Sequence, residues 1–369
     1  MLRCQPPLLI AEDIHYCLPS TYALHNADGL HIFETRYSID PAIRSRTTIC
    51  SLIRDADLDD TPAEGLMLAE DIQLGICSLQ SRLWNRAMRS HIPDFNTAIE
   101  LTRIRQRLES WRRLLSQIPI SEPDTSNFSE GQHWAMRYYY GMEDHSKAGW
   151  LNTVYYRQKD LVYDGIALYH LSGLTLHSNV RILSQLAEDM IPNNPNETYG
   201  NEYMQAHLRR ETFVREWSNA SNARRALCHA AAVLGSYNEI PLILRRAIDP
   251  ITYVAFSMGA LVVWAYSSFT NNKCRLCSMR IDSGAASSDL QQFELTRWSA
   301  IDAVPALEKE KEDWIEAGEG FVTIGGIIVC QCNLSLLASL YHSCLPQDWD
   351  VANAIAPGIF KSKDTGVNG

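Results

Sequence analysis

The 369-residue sequence lacks the short motifs that mark the common enzyme families. It contains no G-x-S-x-G elbow, no P-loop and no G-x-G-x-x-G fingerprint, and its paired glycines, at 318/320 and 325–326, have the wrong spacing. It also has no internal repeats and no strand-like alternation of any length. These absences favour an all-α protein without a recognisable catalytic centre.

A second Cys-x-x-Cys pair is also missing. Cys274-Arg275-Leu276-Cys277 stands alone, whereas a zinc site needs four ligands. Cys330, Cys332 and Cys344 lie on an apolar helical pattern and are expected in the core. We therefore expect no metal ligands and no cofactor in this chain.

The chain has little basic charge and no secretory signal. Its net charge of −10 repels phosphate, so the bulk surface does not suit nucleic acid. The short apolar run before Glu12 and Asp13 is not a leader, so we expect a reducing compartment and ten free cysteines. An arginine-rich helix face is expected to be solvated, because no aromatic residues are interleaved with Arg103, Arg105, Arg107, Arg112 and Arg113.

Acidic residues cluster at 55–60, and this cluster leaves an enzyme alternative open. An EF-hand is excluded, because Asp60 replaces the required Gly and Leu66 the required Glu. A magnesium site of the terpene-cyclase type would need a second acidic motif, which the region around Asn219 lacks. We expect an acidic loop; the alternative is an all-α magnesium-dependent enzyme, terpene-cyclase-like, that uses Asp55, Asp57, Asp59 and Asp60.

Three histidines fall within helical patterns. His170 and His177 are seven residues apart and can share a helix face, and His229 lies in a later helix. No carboxylate or Cys stands one turn away to complete a nucleophilic pair. We expect satisfied core histidines and no catalytic residues, so the chain is not expected to be an enzyme.

An uncharged run, 250–272, is the most prominent feature that is present. Its apolar part, Ile251 to Phe269, would form a helix about 28 Å long, nearly enough to span a bilayer. No second span exists, and the flanking segments have the pattern of amphipathic helices. We predict the buried central helix of a large all-α domain; a single-span membrane protein is the alternative.

Helical periodicity organises the rest of the chain. A capping box at Thr61 to Glu64 precedes one apolar stripe, and a second stripe lies behind Asp94. Further helical patterns cover 152–190, 203–217, 223–237, 308–313 and 321–345. The first stripe comprises Leu68, Ile72, Ile76, Leu79, Leu83 and Ala87, and the second comprises Leu101, Ile104, Leu108, Trp111 and Leu115.

The order of five segments resembles the fungal-specific transcription factor regulatory domain, the middle homology region of fungal zinc-finger activators. The five are Leu18-Pro19-Ser20 with Leu24 and Ala27, Leu108 to Leu114 (LESWRRL), Leu168-Tyr169-His170-Leu171, Ala226 to Ala230 (ALCHA), and Asp249-Pro250 through Ala260 to Ala265 (ALVVWA). They resemble its "LP-x-x-x-x-LW-x-A", "LxxWRRxL", "YH", "A-x-x-HA" and apolar core-helix patterns. His25 stands where the family has Trp.

The resemblance covers 13–345 and implies a partial regulatory domain, with 1–12 and 357–369 flexible. It implies a nuclear, non-enzymatic module for RNA polymerase II gene regulation, without its own DNA-binding zinc motif. Zinc and DNA contact would belong to an upstream finger region. The expected partners are the transcriptional machinery or regulatory proteins. A homodimer is left open, and no membrane is expected.

Overall fold

A computed structural model describes residues 14–55, 67–89, 95–118, 120, 136–143, 146–191, 200–240, 248–270, 292–299 and 305–359. Thirteen α-helices and three short strands occur in these ranges, so the fold is all-α as predicted. The chain divides into two compact units. The first comprises 3–172 and 241–248, and the second comprises 173–240 and 249–369.

The first unit contains five helices and most of a sixth. They are α1 (Tyr22–His25), α2 (Leu30–Tyr37), α3 (Ile49–Asp55), α4 (Ala69–Arg89), α5 (Phe95–Ser116) and the first part of α6 (Trp150–His177). A short 3-10 helix, Arg137–Tyr139, precedes α6.

The core of the first unit is built from the two predicted stripes. Leu68, Ile72, Ile76, Leu79 and Leu83 are buried along α4, as the 3.6-residue period predicts. The stripe of α5 contributes the buried residues Ile104, Leu108, Trp111 and Leu115. The two helices pack closely because Gly75 of α4 faces the indole of Trp111. The capping box at 61–64 and Asp94 lie outside the described residues.

The second unit contains the remaining elements. They are the end of α6, α7 (Val180–Asp189), α8 (Asn201–Ser218), α9 (Ser221–Asn238), α10 (Pro250–Phe269), β1 (Gln292–Glu294), α11 (Pro305–Ala317), β2 (Phe321–Ile324), β3 (Ile327–Ile328), α12 (Leu334–His342) and α13 (Val351–Ile355). Short 3-10 helices cover Leu295–Ser299 and Gln331–Asn333.

The apolar run forms α10, which is the central helix of the second unit. Asp249 caps it by accepting a hydrogen bond from the Ile251 amide at 2.8 Å, and Pro250 occupies the first turn. Fourteen of its twenty residues are buried, so the predicted core helix is confirmed. Among the described residues α10 is also the helix long and apolar enough to cross a membrane, and 72% of its apolar window is buried inside the protein. The helices around it are α7, α8, α9, α12 and α13.

Three small strands depart from the sequence expectation. The segment 321–345, predicted as one apolar helix, is a β-hairpin followed by α12. Gly325 and Gly326 turn the chain with φ of +57° and +76°, and Ile324 pairs with Ile327. β1 pairs parallel to β2 at the other edge. A Gly-Gly pair between β-branched residues is a hairpin signal, and it outweighs the helical reading of the apolar residues.

Two further expectations are corrected. The helical pattern over 152–190 is two helices, because Asn179 interrupts it and caps α7 by accepting from the Ile182 amide at 3.2 Å. The arginine face of α5 is exposed at Arg103, Arg105 and Arg113, but Arg107 is buried. Of the three cysteines placed on the apolar C-terminal pattern, only Cys330 is buried, whereas Cys332 is exposed.

The close approach of α4 and α5 generates a stability prediction. A Cβ at position 75 would overlap the indole of Trp111, which is wholly buried and cannot swing away. We expect Gly75→Ala to lower the free energy of unfolding by about 1–3 kcal/mol, through overpacking. Urea denaturation followed by tryptophan fluorescence measures the change.

Gly200→Ala is the matched control, because a Cβ there meets nothing within 4 Å. Gly200 is the N-cap of α8, so Ala costs less than about 1 kcal/mol there. Equal losses for the two variants would contradict the close packing of Trp111 on Gly75.

Candidate functional site

The histidines named from the sequence are packing residues in the structure. His170 is buried, and its ring meets Tyr169 edge-on with centroids 4.9 Å apart. His177 is buried and stacks on His229 at 5.7 Å, with its Nδ1 lying 3.3 Å from the Asn222 side-chain oxygen. The His229 ring fills the space beside Gly173, where a Cβ would overlap it. The structure therefore uses His177 and His229 to pack the end of α6 against α9.

Most of the other sequence candidates lie outside the described residues. Cys274, Cys277 and residues 56–60 are not described, and neither is the side chain of Asp55. Within the described ranges no group of three or more His, Cys, Asp and Glu side chains could hold a metal ion. The enzyme alternative and the expected absence of a metal therefore stay predictions. The buried Cys228 thiol has its pKa raised to about 12 by burial, which makes it a poor nucleophile.

A cavity of about 630 Å³ with several charged side chains in its lining lies in the first unit. Arg36 forms part of its wall and donates to four carbonyl oxygens, at 2.6 Å to Ala23, 3.2 Å to Asn26, 3.5 Å to Tyr140 and 2.6 Å to Gly141. Burial lowers the pKa of the Arg36 guanidinium, and Glu143 opposes that effect. The guanidinium thus joins α1, α2 and the segment after Arg137–Tyr139.

The carboxylates of this cavity are also committed to the fold. Asp40 accepts from the Thr21 amide at 3.1 Å and from the Thr21 hydroxyl at 2.6 Å. Burial raises the pKa of Glu143, but the ion pair with Arg157 and the hydrogen bond from the Gly141 amide outweigh it, so the net pKa is lowered. These polar groups are engaged in hydrogen bonds within the protein, so the cavity is best explained as a structural contact between segments of the first unit.

A buried ion pair stabilises the start of α4. Arg44 binds Asp71 through both terminal nitrogens, at 2.7 and 2.9 Å, and its Nε donates to the Pro19 carbonyl at 2.8 Å. Asp71 also accepts from the Leu68 amide at 3.0 Å, which closes the first turn of α4. Because both side chains are almost inaccessible, removal of one partner would leave a buried charge unpaired.

The strongest candidate for a binding site is a groove in the second unit, called here the α10 groove. It has a volume of about 1160 Å³. Its floor is the face of α10 that carries Ala260, Val263 and Trp264. One wall is the end of α7 with Met190 and Ile191, the other is α12, and 357–359 closes one end.

Two aromatic residues distinguish the α10 groove from ordinary packing. Trp264 is only half-buried, although it lies in the middle of a buried helix, and its ring meets Phe269 edge-on at 5.8 Å. Tyr341 contributes to the wall but is itself 0% exposed, and its hydroxyl has no hydrogen-bond partner among the described residues. Burial raises the pKa of that hydroxyl, so it stays neutral.

A carboxylate network lies beside this region, at the end of α7. Asp189 accepts hydrogen bonds from the Tyr203 hydroxyl at 2.8 Å, from Arg210 at 2.6 and 2.8 Å, and lies 3.1 Å from the His207 Nδ1. Burial raises the pKa of Asp189, but these partners, led by Arg210, outweigh burial and the net pKa is lowered. The network joins α7 to α8 and has the geometry of a structural clamp.

Sequence reasoning missed the α10 groove. It placed Trp264 in the core and did not single out Met190, Tyr341 or His342. A usable signal exists in the spacing of Ala260, Val263 and Trp264, which share one face of α10. The depth of the groove depends on α12 and on 357–359, whose approach to α10 no local pattern specifies.

Comparisons of this chain with models of protein families, with curated proteins and with solved structures return no match.

The Asp189 clamp predicts a specific acid dependence of stability. The lowered folded-state pKa means that the carboxylate stabilises the fold above its unfolded-state pKa of about 4, and that this contribution is lost as the pH falls through the folded-state pKa. We expect Asp189→Asn to be less stable than the wild type at pH 7. The difference in free energy of unfolding should shrink below about pH 4.

Denaturant unfolding at a series of pH values from 7 to 3 measures this difference. Glu216→Gln is the matched control, because Glu216 lies exposed near the end of α8. A difference between wild type and Asp189→Asn that is constant with pH would show that the carboxylate charge contributes nothing to the clamp.

Proposed function

We propose that this chain is a non-enzymatic, transcription-regulatory helical module of the fungal zinc-finger type. It would act in the nucleus on RNA polymerase II genes through the transcriptional machinery or regulatory proteins. DNA and zinc would be bound only by an upstream module. The proposal rests on one observation, namely the order in which five helical segments resemble the middle homology region.

The places of these segments in the fold support the proposal. Trp111, from the segment that resembles LxxWRRxL, is wholly buried between α4 and α5. The segment that resembles A-x-x-HA lies in α9, and the apolar core-helix segment is α10. α9 packs along α10, where a Cβ added to Gly259 would lie 3.6 Å from the Ala230 Cα. Residues that carry the resemblance are thus the packing centres of the two units, as expected for a regulatory scaffold.

The surface charge fits a protein-binding role better than a DNA-binding one. The net charge is −10, and on α5 Arg112 pairs with Glu109 at 3.2 Å. A surface of this kind makes DNA contact dependent on another module. Partner proteins are therefore the expected ligands of the scaffold.

The reporter prediction is direct. We expect the chain, fused to a heterologous DNA-binding domain in a fungal host, to enter the nucleus and to change reporter output relative to that domain alone. The measurement combines fluorescence localisation with reporter activity at matched protein levels. Cytosolic residence without any effect on the reporter contradicts the proposal.

A destabilised fusion tests whether the reporter effect requires the folded module or comes from an unfolded acidic chain. Gly75→Ala should weaken the reporter effect as it destabilises the first unit, whereas Gly200→Ala should leave the effect unchanged. If Gly75→Ala leaves the full effect, the activity belongs to unfolded acidic sequence and not to a helical regulatory module.

A further inference from the structure

The lining of the α10 groove is almost free of charge. Sixteen described residues line it, and none of them is Asp, Glu, Lys or Arg. The chain as a whole is 21% charged, so this surface differs from its surroundings. A charged ligand would lose its hydration there without an opposite charge to replace it. The lining therefore selects an uncharged occupant.

The size and polarity of the groove suit a small organic molecule. Ligand pockets typically enclose about 300–1,000 Å³ and combine apolar walls with a few hydrogen-bonding groups. The α10 groove has about 1160 Å³, a half-buried indole in its floor, and the hydroxyl of Ser335 and the imidazole of His342 on one wall. An apolar ring system with one hydrogen-bonding group matches this set.

We propose that the α10 groove is a binding site for an uncharged, predominantly apolar small molecule that stacks against Trp264. Met190 and Ile191 contact it from α7, Ala338 contacts it from α12, and its polar group lies toward Ser335 and His342 on α12. The proposal goes beyond the regulatory role and concerns binding to the chain itself.

Two fluorescent probes of one ring system test the site. N-phenyl-1-naphthylamine is uncharged, and 8-anilinonaphthalene-1-sulfonate is the same molecule with a sulfonate. We expect the naphthylamine to bind the full chain with a blue-shifted emission, and the sulfonate to bind at least about tenfold more weakly. Equal or tighter binding of the sulfonate overturns the choice of an uncharged ligand.

A matched pair of lysine variants locates the binding. Met190 and Leu336 are 55% and 56% exposed, but only Met190 lines the groove. Met190→Lys should weaken naphthylamine binding about tenfold and strengthen sulfonate binding, because the ammonium pairs with the sulfonate. Leu336→Lys should change both affinities by less than about twofold, because Leu336 lies on α12 but outside the lining of the groove. Equal effects of the two variants overturn the location.

Met190→Lys is expected to fold, because Met190 is the C-cap of α7, where a positive charge is favourable. Ala338→Phe fills the groove without charge and should abolish binding of both probes. Thermal unfolding checks that each variant is folded, and unchanged probe binding by a folded Ala338→Phe overturns the site.

Sedimentation velocity tests the other occupant of an apolar groove, a second copy of this chain. A dimer that dissociates in Met190→Lys but persists in Leu336→Lys would assign the groove to self-association and overturn the small-molecule proposal. A monomer, or a dimer unaffected by both variants, supports it. These measurements use the purified chain, so a failed reporter assay and a failed binding assay are separate results.

Discussion

The second unit depends on the need to cover α10 on every side. A helix of twenty residues without one charged side chain cannot face water over much of its surface, and fourteen of these residues are buried. The cover consists of α7, α8, α9, α12 and α13. Small residues make the closest contact possible, because Ala230 of α9 meets α10 at Gly259. The position of the other helices follows from this requirement.

The first unit depends more on polar contacts that join separate segments. Arg44 and Asp71 are buried together, and Asp71 also closes the first turn of α4. Arg36 donates hydrogen bonds to carbonyl groups of α1 and of the segment before α6. Buried polar groups of this kind are hydrogen-bonded in one arrangement of the helices, and any other arrangement would leave them unpaired at a cost in free energy. They therefore specify how the segments of the first unit are arranged, whereas the stripes of α4 and α5 contribute the buried apolar surface.

The sequence predicted the elements whose cause is local. The stripe from Leu68 to Leu83 follows the helical period, and Asp249-Pro250 is a helix start that can be read directly. The hairpin at Gly325-Gly326 also has a local cause, because a Gly-Gly pair between β-branched residues is a hairpin signal. The burial of Arg107 has a tertiary cause, because helical periodicity alone permits an exposed arginine. The interruption at Asn179 is local, because Asn179 is a helix N-cap.

The α10 groove could not be predicted from the sequence, because it also has a tertiary cause. Composition places Trp264 in a core, but its exposure is decided by how far α12 and 357–359 extend over α10. The covering helix α12 is short, with nine residues, whereas α9 has eighteen. Short elements bury less apolar surface and open at lower free energy than long helices. The thinnest part of the cover therefore lies over Trp264, and a ligand that completes the cover there would stabilise the central helix on which the second unit depends.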